Sequence, residues 1–477
     1  MSRKKIISSF SILALLFYSY TAVFAETDSV VKNISLNEAF SIADKENIDI
    51  TSARKNIDSA KEDINIAKEI PNPQIQPLFG VGNVFTQQGN PNQIGVSQLI
   101  EIAKRGARTK VAKSSYVLAG DTVKSNVFDL HYAIRQAYIN LVSAKSNLVV
   151  LNEQDLLLER LLDIAQKRLN AGDVAEIDVL EAKLALNQVD AQIQQARSQV
   201  LQSRSAFNQA LNTNSPASKN VIYDVAEIYL PGDFNYQSLV SLVPSTPIAS
   251  VDKIQKVSLN RKFSLKINST RVDPALAPMP TTPLPAFEAL ETTAINQRLD
   301  VKIAKDQVDV AQKSLVLAKR QAIPDIDMTV GYMYDVTKNS GGQNEFDQGV
   351  YFGPAVTLPI FNHQKAEISK SKIALDQAKL QLASTENKIS TQLQADYEQL
   401  SASRDTLLMY KNKLLADSNQ VVQLSQRRYE IGKSDLSSVI LVQQEYQSIM
   451  TGYVNSLISY YSAWETLLND IGEEKYE

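Results

Sequence analysis

The chain has 477 residues, of which 44% are hydrophobic and 21% charged, and its formal net charge is −3. It contains no cysteine, which excludes disulfide bonds and an amino-terminal lipid carried on a cysteine. The slightly acidic balance argues against a nucleic-acid partner, because such a partner favours a basic stripe.

The amino terminus has the layout of a secretory signal peptide. A positive start at Arg3 to Lys5 precedes a long apolar stretch, which ends in the small-x-small sequence VFA at Ala25. We predict a signal peptide over residues 1–25, and a membrane anchor helix is the alternative. No other window offers the ~18 consecutive apolar residues of a membrane-spanning helix.

Proline positions divide the rest of the chain. Nine of the 16 prolines fall between Pro216 and Pro285, whereas 92–215 and 360–477 contain none. Because proline clashes inside a helix, the proline-free stretches predict long helices. The proline-rich segment predicts an irregular insert over 214–285.

The first repeat, residues 26–213, is predicted to run helix, β-hairpin at about 73–100, long helix, tip at 170–174 and returning helix. Gly172 interrupts a run of good helix formers, which favours a left-handed turn at that point. The returning helix carries a coiled-coil seam, in which apolar and small residues alternate spacings of four and three. The seam residues are Ala182, Leu186, Val189, Ile193, Ala196, Val200, Ser203, Phe207 and Ala210.

The second repeat, residues 286–477, is predicted to follow the same order, with a hairpin at about 325–360 and a tip at 430–434. Gly432 occupies the place of Gly172. Between Ile326 and Val336, apolar and aromatic residues alternate with mostly polar or small ones. This period is typical of a strand with one apolar face.

The four predicted strands pose a geometric problem. Long helices separate the hairpins from the tips, so both hairpins are expected at one pole and both tips at the other. Four strands are too few for a membrane-spanning barrel, which needs roughly eight or more, and an open sheet edge in a bilayer is costly. Either several copies share one barrel, or the hairpins form a soluble β cap on a helical rod.

Six stretches in order along the chain resemble the outer-membrane efflux protein family, the TolC-like channels. They are SLNEAFSIADKENIDI, VSQLIEIAKRGARTKVA, RLNAGDVAEIDVLEAKL, QRLDVKIAKDQVDVAQKSLVLAKRQAIPDIDMTVGYMY, GPAVTLPIFNHQKAEISKSK and RRYEIGKSDLSSVILVQQEYQSIMTGYVNSLISYYSAWETLLNDIG. The resemblance implies a mainly α fold with a small β part. Duplicated coiled-coil helical hairpins would form a periplasmic α-barrel, and four strands per chain would join a trimeric 12-stranded transmembrane β-barrel.

The same resemblance implies partners. They are two further copies of the chain in a homotrimer, a periplasmic adaptor protein that grips the tips, and an inner-membrane pump. The exit from the first hairpin, with Glu101 and KRGAR, resembles most the metal- and drug-exporting branch, whose pumps are of the resistance–nodulation–division type. The insert at 214–285 would join the carboxy-terminal tail as an equatorial belt.

Enzyme chemistry has no candidate residues. No Gly-x-Ser-x-Gly, phosphate loop or His-Glu-x-x-His motif occurs. The two histidines, His131 and His363, lie far apart in the sequence. We predict that His131 is a packed or helix-surface residue and that His363 lies at the lower rim of the barrel. We therefore expect no enzyme activity, no cofactor and no metal site.

Two acids follow the first tip. Asp178 and Glu181 are one helical turn apart and share a face, so in a trimer they would form two acidic rings just inside the tunnel mouth. In the best-known family members the corresponding acids of the second tip form a cation-binding gate. Here those positions are Ser438 and Leu441, which puts a gate in the second repeat in doubt. Solvated acids on an exposed helix face are the alternative.

The tips themselves are the candidate docking site for the adaptor. Arg168 and Arg428 each precede their tip glycine by four residues, and Tyr429 precedes Gly432 by three. A basic side chain at such a position stabilises the carboxy end of a helix. The exposed turn would be presented to the partner. Its predicted contact residues are Gly172, Asp173, Gly432 and Lys433 together with Arg168, Arg428 and Tyr429.

These observations predict a passive exit duct in the outer membrane, exporting small molecules or metal ions. The outer-membrane channel of a type I polypeptide secretion system is the alternative within the channel class. A periplasmic coiled-coil structural protein is the alternative of another class, and the apolar face of the second hairpin argues against it.

Overall fold

A computed structural model describes residues 30–78, 92–213, 221–225, 284–338 and 344–473. The predicted signal peptide and nearly all of the predicted insert lie outside the described residues. Among the helices that are described, none combines the length and the apolar composition needed to cross a membrane.

The first half of the chain runs from an amino-terminal strand to the end of the first helical hairpin and a short strand after it. Its elements are β1 Val30–Asn33, α1 Leu36–Glu46, α2 Ile48–Lys68, β2 Gln74–Leu78, β3 Asn92–Ile100, α3 Lys104–Ala171, α4 Glu176–Leu211 and β4 Val221–Asp224.

The second half repeats this order without the short flanking strands. Its elements are α5 Phe287–Gln297, α6 Leu299–Gln321, β5 Ile326–Lys338, β6 Asn344–Val356, α7 Lys365–Met409, α8 Leu415–Glu430 and α9 Leu436–Ile471. A π-helical turn at Tyr410–Leu414 joins α7 to α8. It has no counterpart in α3, which is one continuous α-helix of 68 residues.

The helix before each hairpin is divided in two, which sequence reasoning did not predict. Asn47 separates α1 from α2 and accepts a hydrogen bond from the Ile50 amide at 3.0 Å. Its side-chain amide also donates to the Leu211 carbonyl, at the end of α4, at 2.9 Å. In the second half, Arg298 occupies the equivalent break and donates to the Asp470 carbonyl, near the end of α9, at 3.0 Å. Each returning helix therefore ends beside the residue that divides the other helix, and the side chain of that residue donates to one of the last carbonyl groups of the returning helix.

The two hairpins form one antiparallel sheet in the order β2-β3-β5-β6. They meet through β3 and β5, which leaves β2 and β6 as the two edges. On one face of the sheet, the Tyr351 ring lies against Gly331 and Gly95. A Cβ at Gly95 would be 2.7 Å from the Tyr351 hydroxyl, so the glycines leave room for this ring.

Beside the first helical hairpin, β1 pairs in parallel with β4, and side chains of β4 contact both α3 and α4. The buried Asp224 of β4 holds them there. Lys145 Nζ lies 2.6 Å from Asp224 Oδ1, and Arg204 Nη1 lies 3.3 Å from Asp224 Oδ2. One carboxylate thus ties the short strand to both helices of the first hairpin.

Candidate functional site at the two tips

Both tips have the same backbone. Gly172 has φ 81° and Gly432 has φ 72°, in the left-handed region that favours glycine. The Gly172 amide donates to the Leu169 carbonyl at 3.0 Å, and the next amide donates to the Arg168 carbonyl at 2.9 Å. The second tip repeats the pair, from Gly432 to Tyr429 at 2.9 Å and from the following amide to Arg428 at 2.8 Å. This is the Schellman arrangement, which satisfies the last carbonyls of each long helix.

Arg168 links the first tip to the second. Its Nη1 donates to the Tyr429 carbonyl at 3.0 Å, and its guanidinium carbon lies 4.8 Å from the centre of the Tyr429 ring. A Cβ at Gly432 would be 3.5 Å from Arg168 Nη2. Sequence reasoning placed Arg168 at the end of its own helix and did not foresee a contact across 261 residues of sequence.

The predicted docking residues differ in exposure. Tyr429 is buried, with 1% of its surface exposed, and burial raises the pKa of its hydroxyl. Arg168 is half-buried beside it. The remaining predicted tip residues are exposed: Gly172, Asp173, Arg428, Gly432 and Lys433. The exposed surface of the tips therefore carries both cations, Arg428 and Lys433, and acids, Asp173 and Glu430, while the buried Tyr429 packs behind it.

The two acids after the first tip are half-buried. Glu181 Oε2 accepts a hydrogen bond from Ser437 Oγ, on the returning helix of the second half, at 2.6 Å. On that helix, Ser438 Oγ donates to Asp435 Oδ1, and this bond lowers the pKa of the Asp435 carboxyl. Sequence reasoning missed Ser437 and Asp435. Asp435 could have been found from the sequence, because an aspartate directly before the first residue of a helix is typical of a helix cap.

The histidines lie away from the tips. His131 is 7% exposed, its Nε2 lies 3.0 Å from Asp44 Oδ1, and its ring packs 4.6 Å from that of Phe40. His363 is exposed in the segment between β6 and α7. Within the described ranges, no three histidine, aspartate or glutamate side chains come close enough together to hold a metal ion.

A buried carboxyl of α9 was also missed by sequence reasoning. Glu465 of α9 is fully buried, and its Oε2 lies 3.3 Å from Arg135 Nε. Burial raises the pKa of Glu465 to about 8, and the attraction of Arg135 opposes this only in part. Burial thus favours the neutral form of this carboxyl, whereas the neighbouring Arg135 guanidinium favours the charged form.

The duplicated architecture with two equivalent tips matches a known family. The sequence profile described as "Outer membrane efflux protein" matches residues 39–213 and 290–473, which are the two halves of this fold. The chain belongs to the outer membrane efflux protein family. It is a non-enzymatic transport protein of the outer membrane.

Individual members of the family show the same correspondence. The cobalt-zinc-cadmium resistance protein CzcC of Cupriavidus metallidurans is 20% identical over 447 residues, covering 92% of this chain and 90% of that protein. A membrane protein from Pseudomonas aeruginosa superposes with a TM-score of 0.67 at 16% identity, covering 93% of this chain and 92% of that one. CusC superposes with a TM-score of 0.66 at 14% identity, covering 92% of both chains. These matches confirm the predicted mainly helical, duplicated fold and the efflux-channel class.

Proposed function

We propose that three copies of this outer membrane efflux protein share one 12-stranded barrel and form the exit duct of a tripartite pump for metal cations. The observation that carries the proposal is the four-stranded sheet, which has two open edges and one exposed apolar face. Two rows of paired residues cross this face of the sheet. One row is Ile75, Val96, Val330 and Phe352, and the other is Pro77, Ile94, Tyr332 and Val350.

These rows have the surface that a lipid-facing sheet requires. Val350 is 78% exposed and Phe352 67%, although neither would be favourable in water. An isolated sheet would also leave β2 and β6 with unpaired backbone groups, which cost several kcal/mol each in a bilayer. Pairing β6 of one copy with β2 of the next removes every edge, and three copies give the twelve strands of a closed barrel.

The cargo is proposed from the relative that confers cobalt, zinc and cadmium resistance. The KRGAR motif has a different role. Lys104 Nζ lies 2.7 Å from Asp325 Oδ2, and Arg108 pairs with Glu101 at 2.9 Å while donating to the Ala67 and Glu69 carbonyls. Lys104 and Arg108 of the motif thus fasten the sheet to the helices and support the fold.

The tips support the partner proposal. Their exposed turns carry Arg428 and Lys433, and the glycines leave the backbone accessible. A periplasmic adaptor that presents acidic or carbonyl groups would meet these cations and bare turns. The inner-membrane pump, proposed to be of the resistance–nodulation–division type, would supply the energy, since the duct itself is passive.

The barrel is tested by two substitutions at neighbouring positions of β6. Phe352→Arg places a charge on the apolar face, where three copies would each lose about 2–4 kcal/mol near the bilayer midplane. Gly353→Arg is the control, because it lies on the opposite face and a Cβ there meets nothing within 4 Å. On unheated gels of detergent-extracted outer membranes, Phe352→Arg is expected to reduce the heat-labile trimer severalfold, and Gly353→Arg to retain it.

Two results would contradict the proposal. A wild-type monomer that is soluble without detergent, measured by light scattering, would remove the shared barrel. The cargo is tested by deleting the gene and measuring growth in cobalt, zinc and cadmium salts. Unchanged metal tolerance together with loss of a secreted polypeptide would assign the duct to polypeptide secretion.

A further inference from the structure

The seam of α4 separates two flanks of different chemistry. The residues directly after the seam positions are charged at Lys183, Asp190, Arg197 and Arg204. Of these, Arg204 pairs with Asp224, and the neighbouring Asn208 donates to the Tyr223 carbonyl at 2.8 Å. At its end away from the tip, this flank therefore faces β4.

On the other flank, which consists of the residues directly before the seam positions, every residue after Glu181 is uncharged. They recur at spacings of four and three along the whole helix. In order they are Ala185, Gln188, Gln192, Gln195, Gln199, Gln202, Ala206 and Gln209. We call the five residues Gln188, Gln192, Gln195, Gln199 and Gln202 the glutamine flank, and all five are exposed.

Two grooves open on the glutamine flank, and no charged side chain lines either. The larger, of 820 Å³, runs between α3 and α4 and includes Gln199 and Gln202. Opposite them, α3 contributes only neutral polar and small side chains. Its polar residues there are Tyr132, Gln136, Asn140, Ser143 and Asn147.

The smaller groove, of 220 Å³, lies nearer the tips between α3, α4 and α9. It contains Gln188 and Gln192 of α4, together with Gln154, Gln444 and Gln447. Gln447 Nε2 donates to Gln192 Oε1 at 3.0 Å, and the Ser437–Glu181 hydrogen bond continues the same contact toward the tip. The two grooves thus form one neutral, hydrogen-bonding surface that begins at the Glu181 level.

This surface faces away from the equatorial elements. On the opposite side of α3, His131 contacts Asp44, Arg135 lies over Phe40, and Lys145 binds Asp224. All three partners belong to α1 or β4. Those elements fill the space beside the helices on that side, so a tunnel shared by three copies has the glutamine flank along its axis. This step rests on the trimeric duct proposed above.

We infer that the glutamine flank, with the facing amides and hydroxyls of α3 and α9, is the solute-contacting wall of the duct above the Glu181 level. Amide groups both donate and accept hydrogen bonds, so they match the outer water shell of a hydrated metal cation. A ring of carboxylates would instead hold the cation by charge. The wall therefore handles metal cations as hydrated solutes, and Asp178 and Glu181 lie near its entrance.

The absence of cysteine allows a direct test. Gln199→Cys lies on the glutamine flank, and Gln194→Cys, also exposed, lies on the flank that carries the charges. Each purified trimer is placed in a planar bilayer under a potassium chloride gradient and treated with a negatively charged and, separately, a positively charged methanethiosulfonate reagent. Mass spectrometry verifies that both cysteines are labelled.

At Gln199→Cys, the negative reagent is expected to move the reversal potential toward the potassium equilibrium potential, and the positive reagent toward that of chloride. The change in permeability ratio should be about twofold or more, because three labels form one ring. Labelled Gln194→Cys should conduct as before. An effect at Gln194→Cys with none at Gln199→Cys would overturn the assignment of the wall. Wild-type trimers that conduct no ions would instead contradict the duct itself.

Discussion

The two tips share a backbone and differ in nearly every side chain around it. The first carries Arg168 and Glu181, and the second carries their respective partners, Tyr429 and Ser437. The turn is retained in both because a left-handed residue and two amide-to-carbonyl bonds are needed to end a long helix. The flanking side chains are not needed for the turn, so those of the two repeats can differ and complement each other. The turn is therefore kept in both repeats, whereas Arg168 lies in the first repeat and the carbonyl that accepts its hydrogen bond lies in the second.

The largest effect is expected where both tips are alike, at their glycines. In Gly172→Val with Gly432→Val, a side chain at positive φ costs about 1–2 kcal/mol per site, too little to unfold helices of this length. Trimers should therefore still form. A branched side chain would hold a partner away from the turn, so export and cross-linking to the adaptor should be lost.

Gly106→Val is the control for that pair, because Gly106 is exposed far from the tips and a Cβ there meets nothing within 4 Å. It should export normally. If the double-substituted trimers also export normally, the tip glycines serve only to form the turns, and the adaptor does not need their bare backbone for docking.

A smaller effect separates the two arginines. Arg168→Ala removes a charged hydrogen bond to the Tyr429 carbonyl and the stacking on its ring, which is worth roughly 1.5–3 kcal/mol. Amide exchange in the segment around Gly432 should then be about tenfold faster or more. Arg428→Ala, at the matching position of the second repeat, should leave exchange in the first tip unchanged because Arg428 is exposed. Equal effects of the two substitutions would show that the tips are equivalent after all.

The smallest effect concerns the acids that only the first repeat retains. If Asp178 and Glu181 face the tunnel, replacing both with alanine should change single-channel conductance or its block by divalent cations, and should release Ser437. Asp163→Ala is the control, since Asp163 is exposed and pairs within its own helix with Lys167 at 2.6 Å. Conductance and block unchanged from wild type would place the two acids on a solvated face.

Much of this architecture follows from local rules that the sequence displays. Periodic apolar spacing predicted the seam of α4, and Val189, Ile193, Val200 and Phe207 are indeed buried there. Alternation predicted the apolar face of β5, where Val330 and Tyr332 are exposed on one side of the sheet. These features can be predicted from the sequence because each depends on residues only a few positions apart in the chain.

Other features required the tertiary structure, because they depend on which distant residues meet. Nothing near Arg168 indicates that it binds Tyr429, or that Tyr429 is buried as a result. Asn47 divides a helix because its side chain reaches the end of α4, a partner 164 residues away. The sequence by itself determined the helices, the turns and the strand faces, since backbone geometry and side-chain period act locally. Only the tertiary packing, within each repeat and between the two, decided which distant polar groups pair and which face of α4 is left open, because these contacts join residues far apart in the chain.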